Sequence, residues 1–293
     1  MRRLLIALAL VLLATGAFAG NHNWTSIDDD ADGCNARNWR FNGNRAFVQQ
    51  ETIEGGRLRS LKVSTKSSPV KFTGGNGAGY TVTVCKAAEV AADLDDIRVT
   101  LDGGELRATG PANNDWSVSY HVRTPNGAEI DVDAHNGPVA FRDVQGHVTA
   151  RLANGPLALD DVSGDFDVST TNGPISIHGG SGTLKVRATN GPLSVDLDGA
   201  RFDGTLDATT QNGPLSVEVP DDYGSGVVVE ALGRGPISCR AEGCAAWRAA
   251  ARAYDDDDDD DSYDRRPRKI ELGRGATAVR ISTVNGPVTI KGQ

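Results

Sequence analysis

The chain has 293 residues, a formal net charge of −9 at neutral pH and only 5% aromatic residues. This acidic balance makes nucleic acid and anionic membrane surfaces unfavourable partners, because like charges repel. The length suffices for one elongated domain with an end cap, and abundant glycine indicates many tight corners.

The first 19 residues have the three parts of a secretory signal peptide. Arg2 and Arg3 precede an apolar run at 4–13, and Ala-Phe-Ala at 17–19 is a small-x-small cleavage site. The run is too short to span a bilayer, and Gly20 stands where a lipoprotein would have its cysteine. We therefore predict export to the periplasm, the cell surface or the medium, with no transmembrane segment in the mature chain.

Residues 20–57 are polar and are predicted to form an irregular N-terminal cap or tail. Within them, Asp28, Asp30 and Asp32 precede Gly33 in a DxDxDG string, which is the first half of a calcium-binding loop. Trp39 occupies the position of the bidentate glutamate of such a loop, so the motif is incomplete. The three aspartates are a calcium candidate, and the sequence suggests no other cofactor.

From Leu58 onward, alternating apolar and polar residues predict strands, and a regular repeat runs from about residue 126 to Val219. Its marker is an Asn-Gly-Pro triplet that occurs six times, the first four at a spacing of about 18 residues. The triplets are Asn136-Gly137-Pro138, Asn154-Gly155-Pro156, Asn172-Gly173-Pro174, Asn190-Gly191-Pro192, Asn212-Gly213-Pro214 and Asn285-Gly286-Pro287. A unit this short can bury its apolar side chains only against copies of itself.

Each coil of the repeat consists of two short alternating runs, separated by a glycine corner at Gly146, Gly164 or Gly182. In one coil the inward positions are Leu157, Leu159, Val162, Phe166, Val168 and Thr170. An insertion of about four residues near 196–199 has the size of a bulged corner. These runs predict strands with one buried face.

Two arrangements of such strands are compatible with Asn-Gly corners. An antiparallel, hairpin-built sandwich would use Asn-Gly as a type I′ turn, but Pro has no N–H to close that turn and pushes the preceding glycine toward an extended ψ. A wound coil needs neither. We therefore predict an all-β fold, a parallel β-solenoid with two-strand coils, whose stacked asparagines can form an amide ladder.

The repeat is interrupted by a predicted insertion at about 241–269, so that the solenoid domain covers 58–293. Ala245 to Tyr254 is rich in alanine and predicts a short helix. The poly-aspartate run at 255–261 and the basic stretch at 265–269 predict a solvated or disordered loop. The pattern then returns in a final coil at 279–290.

Four cysteines, Cys34, Cys85, Cys239 and Cys244, follow the predicted cleavage site. An even number in an exported chain favours disulfides. Pairing Cys34 with Cys85 would hold the cap, and pairing Cys239 with Cys244 would close a local loop, although other pairings are open. Zinc is the weaker interpretation, because neither a CxxC spacing nor a histidine cluster accompanies them.

Two outward columns of the first strand are candidate sites. One stacks Asp160, His178, Asp196 and Glu218 beneath Arg142, and could bind a metal or perform acid–base chemistry, or be a solvated strand face. The other consists of small side chains that would let a second surface approach closely or serve no function: Ala140, Ala158, Ser176, Ser194 and Ser216.

The segments TNGPISI (171–177), LSVEVPDDYGSG (215–226) and RISTVNGPVTI (280–290) carry a family resemblance. From Leu58 to Gln293 the chain resembles the bacterial "putative adhesin" domains of the DUF4097 beta-strand-repeat family, related to the GIN adhesin domains of autotransporter heads. The resemblance implies a right-handed single-stranded β-helix and an exported location, and it supplies no catalytic motif.

The sequence therefore predicts an exported, non-enzymatic β-solenoid that is an adhesin or a binding or structural module of the cell envelope. Its ligand would be an unidentified envelope, glycan or protein component. The alternative is a carbohydrate-active solenoid enzyme that uses the outward acidic residues, and a third hypothesis is an accessory protein of envelope signalling.

Overall fold

The computed structural model describes residue 34 and residues 39–113, 115–255 and 268–293. The predicted signal peptide, the calcium candidate Asp28, Asp30 and Asp32, and all but the first residue of the poly-aspartate run lie outside the described residues. No helix among the described residues is long and apolar enough to cross a membrane.

Strands dominate the described chain. They are β1 (Arg40–Phe41), β2 (Asn44–Arg45), β3 (Phe47–Gly56), β4 (Leu61–Thr65), β5 (Val70–Gly74), β6 (Tyr80–Ala88), β7 (Arg98–Asp102), β8 (Glu105–Thr109), β9 (Trp116–Thr124), β10 (Ala128–Asn136), β11 (Val139–Arg142), β12 (Gln145–Asn154), β13 (Leu157–Asp160), β14 (Ser163–Asn172), β15 (Ile175–His178), β16 (Ser181–Asn190), β17 (Leu193–Asp196), β18 (Gly204–Asn212), β19 (Leu215–Val219), β20 (Gly226–Ala231), β21 (Ile237–Cys239), β22 (Lys269–Leu272), β23 (Thr277–Asn285) and β24 (Val288–Gly292). Short 3₁₀ helices cover Ala91–Asp96 and Glu242–Cys244, and α1 covers Ala245–Asp255.

Within the described residues the strands form two eleven-stranded sheets and a small β1–β2 ribbon. The long-strand sheet has the spatial order β22-β20-β23-β18-β16-β14-β12-β10-β4-β8-β7. The short-strand sheet has the order β21-β24-β19-β17-β15-β13-β11-β5-β9-β6-β3. Each coil contributes one strand to each sheet.

Neighbouring coils of the regular repeat pair in parallel and in register. Asn154 on β12 is the partner of Asn172 on β14, which is the partner of Asn190 on β16. The predicted parallel β-solenoid is therefore confirmed, and the hairpin-built sandwich is wrong because its strands would pair antiparallel. Antiparallel pairs occur only at the two ends of the described stack and in the β1–β2 ribbon.

The core lies between the two sheets and is built from columns of like side chains. Val139, Leu157, Ile175, Leu193 and Leu215 are each at most 1% exposed and follow one another at successive strands. A second column adds an aromatic stack, in which the rings of Phe72 and Phe141 lie 4.8 Å apart. Burying each such side chain contributes about 1.5–3 kcal/mol, so the columns hold the sheets together along their length.

The buried threonines of the core are hydrogen-bonded at the corners. Thr170 Oγ1 donates to the carbonyl of Gly155, and Thr210 Oγ1 donates to that of Gly191 at 2.9 Å. A buried hydroxyl without such a partner would cost about 1–3 kcal/mol. The polar inward position predicted at Thr170 is thus compatible with a dry core.

The order of coils in space differs from their order in the chain at both ends. The β23–β24 coil, last in sequence, lies between the β18–β19 coil and the β20–β21 coil. At the other end, β8 and β9 lie outside β4 and β5, and the chain then crosses to form β10 on the inner side. The final coil is therefore an internal layer of the stack.

Two segments predicted to be irregular are ordered parts of the ends. Residues 47–56, expected to belong to a cap without strands, form β3 and pair with β6 at the edge of the short-strand sheet. Arg268, expected in a solvated loop, donates to the carbonyls of Ala231, Gly233 and Gly235. Arg248 of α1 similarly donates to the carbonyl of Ala241 at 2.8 Å. The two arginines therefore link their own segments to backbone carbonyls of the outermost coil and of the loop that follows it.

The predicted asparagine ladder runs through six coils. Asn136 Nδ2 begins the ladder by donating to the carbonyl of Lys66. The Nδ2 of each later asparagine donates to the Oδ1 of the asparagine on the preceding coil in space, from Asn154 onto Asn136 at 3.1 Å to Asn285 onto Asn212 at 2.9 Å. The rungs between them are 2.9–3.0 Å long. The ladder therefore continues across the exchanged coil order.

Replacing one ladder residue should weaken the fold by a modest amount that depends on pH. Asn172→Ala removes one hydrogen bond on each side, which predicts a loss of about 1–2 kcal/mol in the free energy of unfolding. Asn172→Asp should lose more at neutral pH, since a carboxylate cannot donate to Asn154, and should recover in acid when it is protonated. Urea denaturation at both pH values measures this, and equal stability of Asn172→Asp and the wild type at neutral pH would contradict it.

Candidate functional site

The outer face of the short-strand sheet carries two parallel columns of side chains, because its four-residue strands pair in register. The ionisable column consists of Arg142, Asp160, His178, Asp196, Glu218 and Lys291. The small column beside it consists of Ala140, Ala158, Ser176, Ser194 and Ser216. Successive members lie about 4.8 Å apart, the spacing of neighbouring strands. The predicted residues are thus brought into line, and Lys291 joins them because the last coil is internal.

Side chains of the ionisable column contact their neighbours from coil to coil. Arg142 Nε donates to Asp160 Oδ2 at 2.8 Å, and His178 Nδ1 lies 3.0 Å from Asp196 Oδ2. Gln293 Nε2 donates to the other Asp196 oxygen at 2.6 Å. These pairs are half-exposed, so each is worth about 0–1 kcal/mol. The contacts fix the orientation of the side chains of the ionisable column, and they occupy the carboxylates of Asp160 and Asp196 that acid–base chemistry would need.

A second group of carboxylates lies at the corner after the ionisable column. Asp143 and Asp161 have left-handed backbones, with φ of 54° and 50°, and the next coil has Gly179 at φ 62°. A Cβ at Gly179 would fall on Asp161 Oδ1 and lie 3.1 Å from Asp198 Oδ2, so the glycine lets the two carboxylates converge. We call Asp143, Asp161 and Asp198 the acidic rim.

Carboxylates of the acidic rim and of the ionisable column raise the pKa of two neighbouring groups, Asp161 and His178. Partial burial, followed by the negative charges of Asp198 and Asp160, raises the pKa of Asp161 above its ordinary value. Desolvation lowers the pKa of His178, but the hydrogen bond to Asp196 and the charges of Asp196, Asp160 and Asp198 outweigh it, so the pKa is raised overall. Sequence reasoning missed the rim because Asp198 lies in the insertion at 196–199, whose path only the structure gives.

The raised pKa of His178 predicts a pH-dependent contribution to stability. A histidine whose folded pKa exceeds the unfolded value of 6.5 stabilises the fold fully below that value and loses the contribution as pH rises through the folded pKa. The stability difference between wild type and His178→Gln should therefore shrink from pH 6.5 upward. NMR titration of the imidazole should show its pKa falling in Asp196→Asn, and an unchanged value would contradict the assigned cause.

The structure pairs Cys34 with Cys85 and Cys239 with Cys244, and no described cysteine is free. The first disulfide joins the N-terminal segment to β6, and the second joins the last residue of β21 to the 3₁₀ helix that follows it, at the opposite end. Among the described residues, no group of three or more His, Cys, Asp or Glu side chains is arranged to hold a metal ion. Calcium at Asp28, Asp30 and Asp32 stays a prediction.

Comparison with solved structures returns proteins of distant sequence, of which two are described here. One is a "putative cell adhesion protein" from Clostridium sporogenes, 11% identical, with a TM-score of 0.32 over 85% of this chain and 100% of that one. The other is a "putative adhesin" from Bacteroides fragilis, 9% identical, with a TM-score of 0.32 over 84% of this chain and 97% of that one. No curated protein matches the chain.

Comparison with protein-family models gives a match to the family described as Toastrack DUF4097. The match covers residues 42–231, more than half of the chain, and includes the first five Asn-Gly-Pro corners and the ionisable column from Arg142 to Glu218. The chain therefore belongs to the Toastrack DUF4097 family.

Proposed function

We propose that this protein is an exported, non-enzymatic binding module of the cell envelope, in the manner of an adhesin. The observation that carries the proposal is the outer face of the short-strand sheet, where a column of small side chains runs beside a column of paired charges. Such a face is flat and long, so an extended glycan or protein segment could lie along it and contact successive coils. Its ligand belongs to the envelope.

Export is supported by the two disulfides and by the sequence of the first 19 residues. Disulfides persist in oxidising compartments and are rare in the cytosol. Both bonds lie near the ends of the solenoid, where a stacked fold has the fewest neighbours and most needs a covalent link.

The test of this proposal is accessibility of the native protein to protease or antibody, on intact and then on permeabilised cells. Labelling of intact cells would support adhesion and justify glycan and matrix arrays, with Ser176→Arg and Ser194→Arg as variants that obstruct the small column. Arg280→Ala on the opposite sheet is the control. Protection until permeabilisation would place the protein in the periplasm and remove the basis for adhesion.

A second candidate function is that of a carbohydrate-active enzyme. Asp160 and Asp196 lie two strands apart in register, about 10 Å between backbones, near the carboxyl separation of inverting glycosidases. Against it, Asp160 is paired with Arg142 and Asp196 with His178. Asp160→Asn and Asp196→Asn should abolish release of reducing ends from envelope polysaccharides if this function holds, whereas Asp207→Asn on the other sheet should not.

A further inference from the structure

The chain contains nine Asn-Gly steps, six of them in the corners. This dipeptide is the one most prone to deamidation, because glycine offers no side chain to hinder attack by its own backbone nitrogen. That nitrogen loses its proton and bonds to the asparagine Cγ, ammonia leaves, and a cyclic succinimide forms. Water then opens the ring to aspartate or isoaspartate. The reaction therefore needs a glycine nitrogen and an asparagine side chain that are both free to move.

In the ladder, both reacting groups are held by neighbouring coils. The N–H of Gly155 donates to the carbonyl of Asn172 at 2.9 Å, and those of Gly173 and Gly191 make the same bond to the next asparagine. The asparagine side chain is fixed at the same time by its rungs. Closing a succinimide would break both the hydrogen bond of the glycine N–H and the side-chain rungs of the asparagine. The reaction therefore requires a local opening of the coil.

Within the described part of the chain, the Asn76–Gly77 step has neither restraint. Both residues are exposed in the loop between β5 and β6, and Gly75, Ala78 and Gly79 beside them are small. The loop is anchored at its start, where the N–H of Gly75 donates to the carbonyl of Thr124. Beyond that point, no other described residue makes a hydrogen bond to the side chain of Asn76 or to the N–H of Gly77. We propose that Asn76 is the site at which the folded protein is modified by deamidation, while the ladder protects the corners.

Three other Asn-Gly dipeptides keep one of the two restraints, on the asparagine side chain or on the glycine N–H. The side chain of Asn42 donates to Glu89 at 3.0 Å, and the N–H of Gly127, after Asn126, donates to the carbonyl of Gln145 at 2.9 Å. Asn285 keeps its rung to Asn212, yet the N–H of Gly286 has no partner within the described chain. Asn285 is therefore the corner that should react first once Asn76 has been converted.

The modification adds one negative charge to the loop, and isoaspartate also lengthens the backbone there. The loop starts next to the acidic rim: Gly74 lies so close to the carbonyl of Asp143 that a Cβ would not fit. Conversion of Asn76 thus places a further carboxylate on a loop that begins at the rim. The loop itself is not part of the core, so the modified protein should stay folded.

The test is peptide mapping by mass spectrometry after incubation of the full folded protein at mildly alkaline pH. After reduction of the disulfides, trypsin releases Asn76 in residues 72–86, Asn190 in residues 188–201 and Asn285 in residues 281–291, each with a single asparagine. The same incubation in guanidinium gives each step its unfolded rate. In the folded protein, Asn76 should deamidate at nearly the rate that it has in guanidinium. Asn190 should deamidate at least about tenfold more slowly in the folded protein than in guanidinium, since its backbone and side-chain hydrogen bonds must open first.

Two variants complete the experiment. Gly77→Ala should suppress reaction at Asn76 without changing the rate at Asn190, because the added methyl hinders the attacking nitrogen. Asn76→Ser should leave the folded protein without rapid deamidation. Equal folded rates at Asn76 and Asn190, or protection of Asn76 relative to the unfolded chain, would overturn the proposal.

Discussion

Ile177→Asp should lower the free energy of unfolding by at least about 5 kcal/mol, which is comparable to the whole stability of a typical domain. Ile177 is 2% exposed and stacks between Leu159 and Val195 in the core. Its loss forfeits about 1.5–3 kcal/mol of apolar burial, and a buried carboxylate without a partner adds several kcal/mol more. Because each coil contacts only its neighbours, the damage should spread to the coils on both sides.

The matched control is Ser176→Asp, the preceding position on the same strand. Ser176 faces outward and is exposed, so the same new side chain stays in water there and should cost less than about 1 kcal/mol. Urea denaturation followed by circular dichroism compares the two. Hydrogen exchange should show lost protection in β13, β15 and β17 of Ile177→Asp. Similar denaturation midpoints for both variants would show that the assigned strand faces are wrong.

The inward columns could be predicted from the sequence because alternation fixes which face of a strand is buried, and one buried face fixes the register. The coil order could not, since stacking of like coils gives no sign of which coil lies where. A clue exists nonetheless in the corners. Asn285 can extend the ladder from Asn212, whereas the side chain of Arg234 in the β20–β21 coil has no oxygen to accept a further rung. The coil with the complete triplet therefore lies inside the stack.

The candidate site was predictable in part for the same reason. The ionisable column follows from spacing, because residues one coil apart occupy equivalent positions. The acidic rim depends on left-handed backbones at Asp143 and Asp161 and on the insertion that carries Asp198, and neither is encoded in an alternating pattern. The arginines that cap the outer coil were missed because Arg268 follows a charged run that resembles a solvated loop.

Glycine corners give the second large effect, with Gly164→Ala expected to cost about 3–5 kcal/mol. Gly164 has φ of 114°, and a Cβ there would fall on the carbonyl oxygen of Gly146 in the preceding coil. The backbone strain accounts for about 1–3 kcal/mol, and forcing two hydrogen-bonded coils apart adds about 1–3 kcal/mol. The column begins with Ala128 rather than glycine, which fits this cause, since β4 pairs with β10 only from Ile130 onward.

Gly137→Ala separates the two contributions to this cost. Gly137 has nearly the same φ, 112°, but its Cβ would lie 3.1 Å from the Ser68 carbonyl, a contact that a small shift relieves. The control should therefore show the strain alone and unfold at a clearly higher urea concentration than Gly164→Ala. Equal losses would mean that backbone conformation, and not the stacking of corner carbonyls, requires glycine. A larger loss in Gly164→Ala would identify close approach between coils as the reason that each repeat keeps a glycine at this corner.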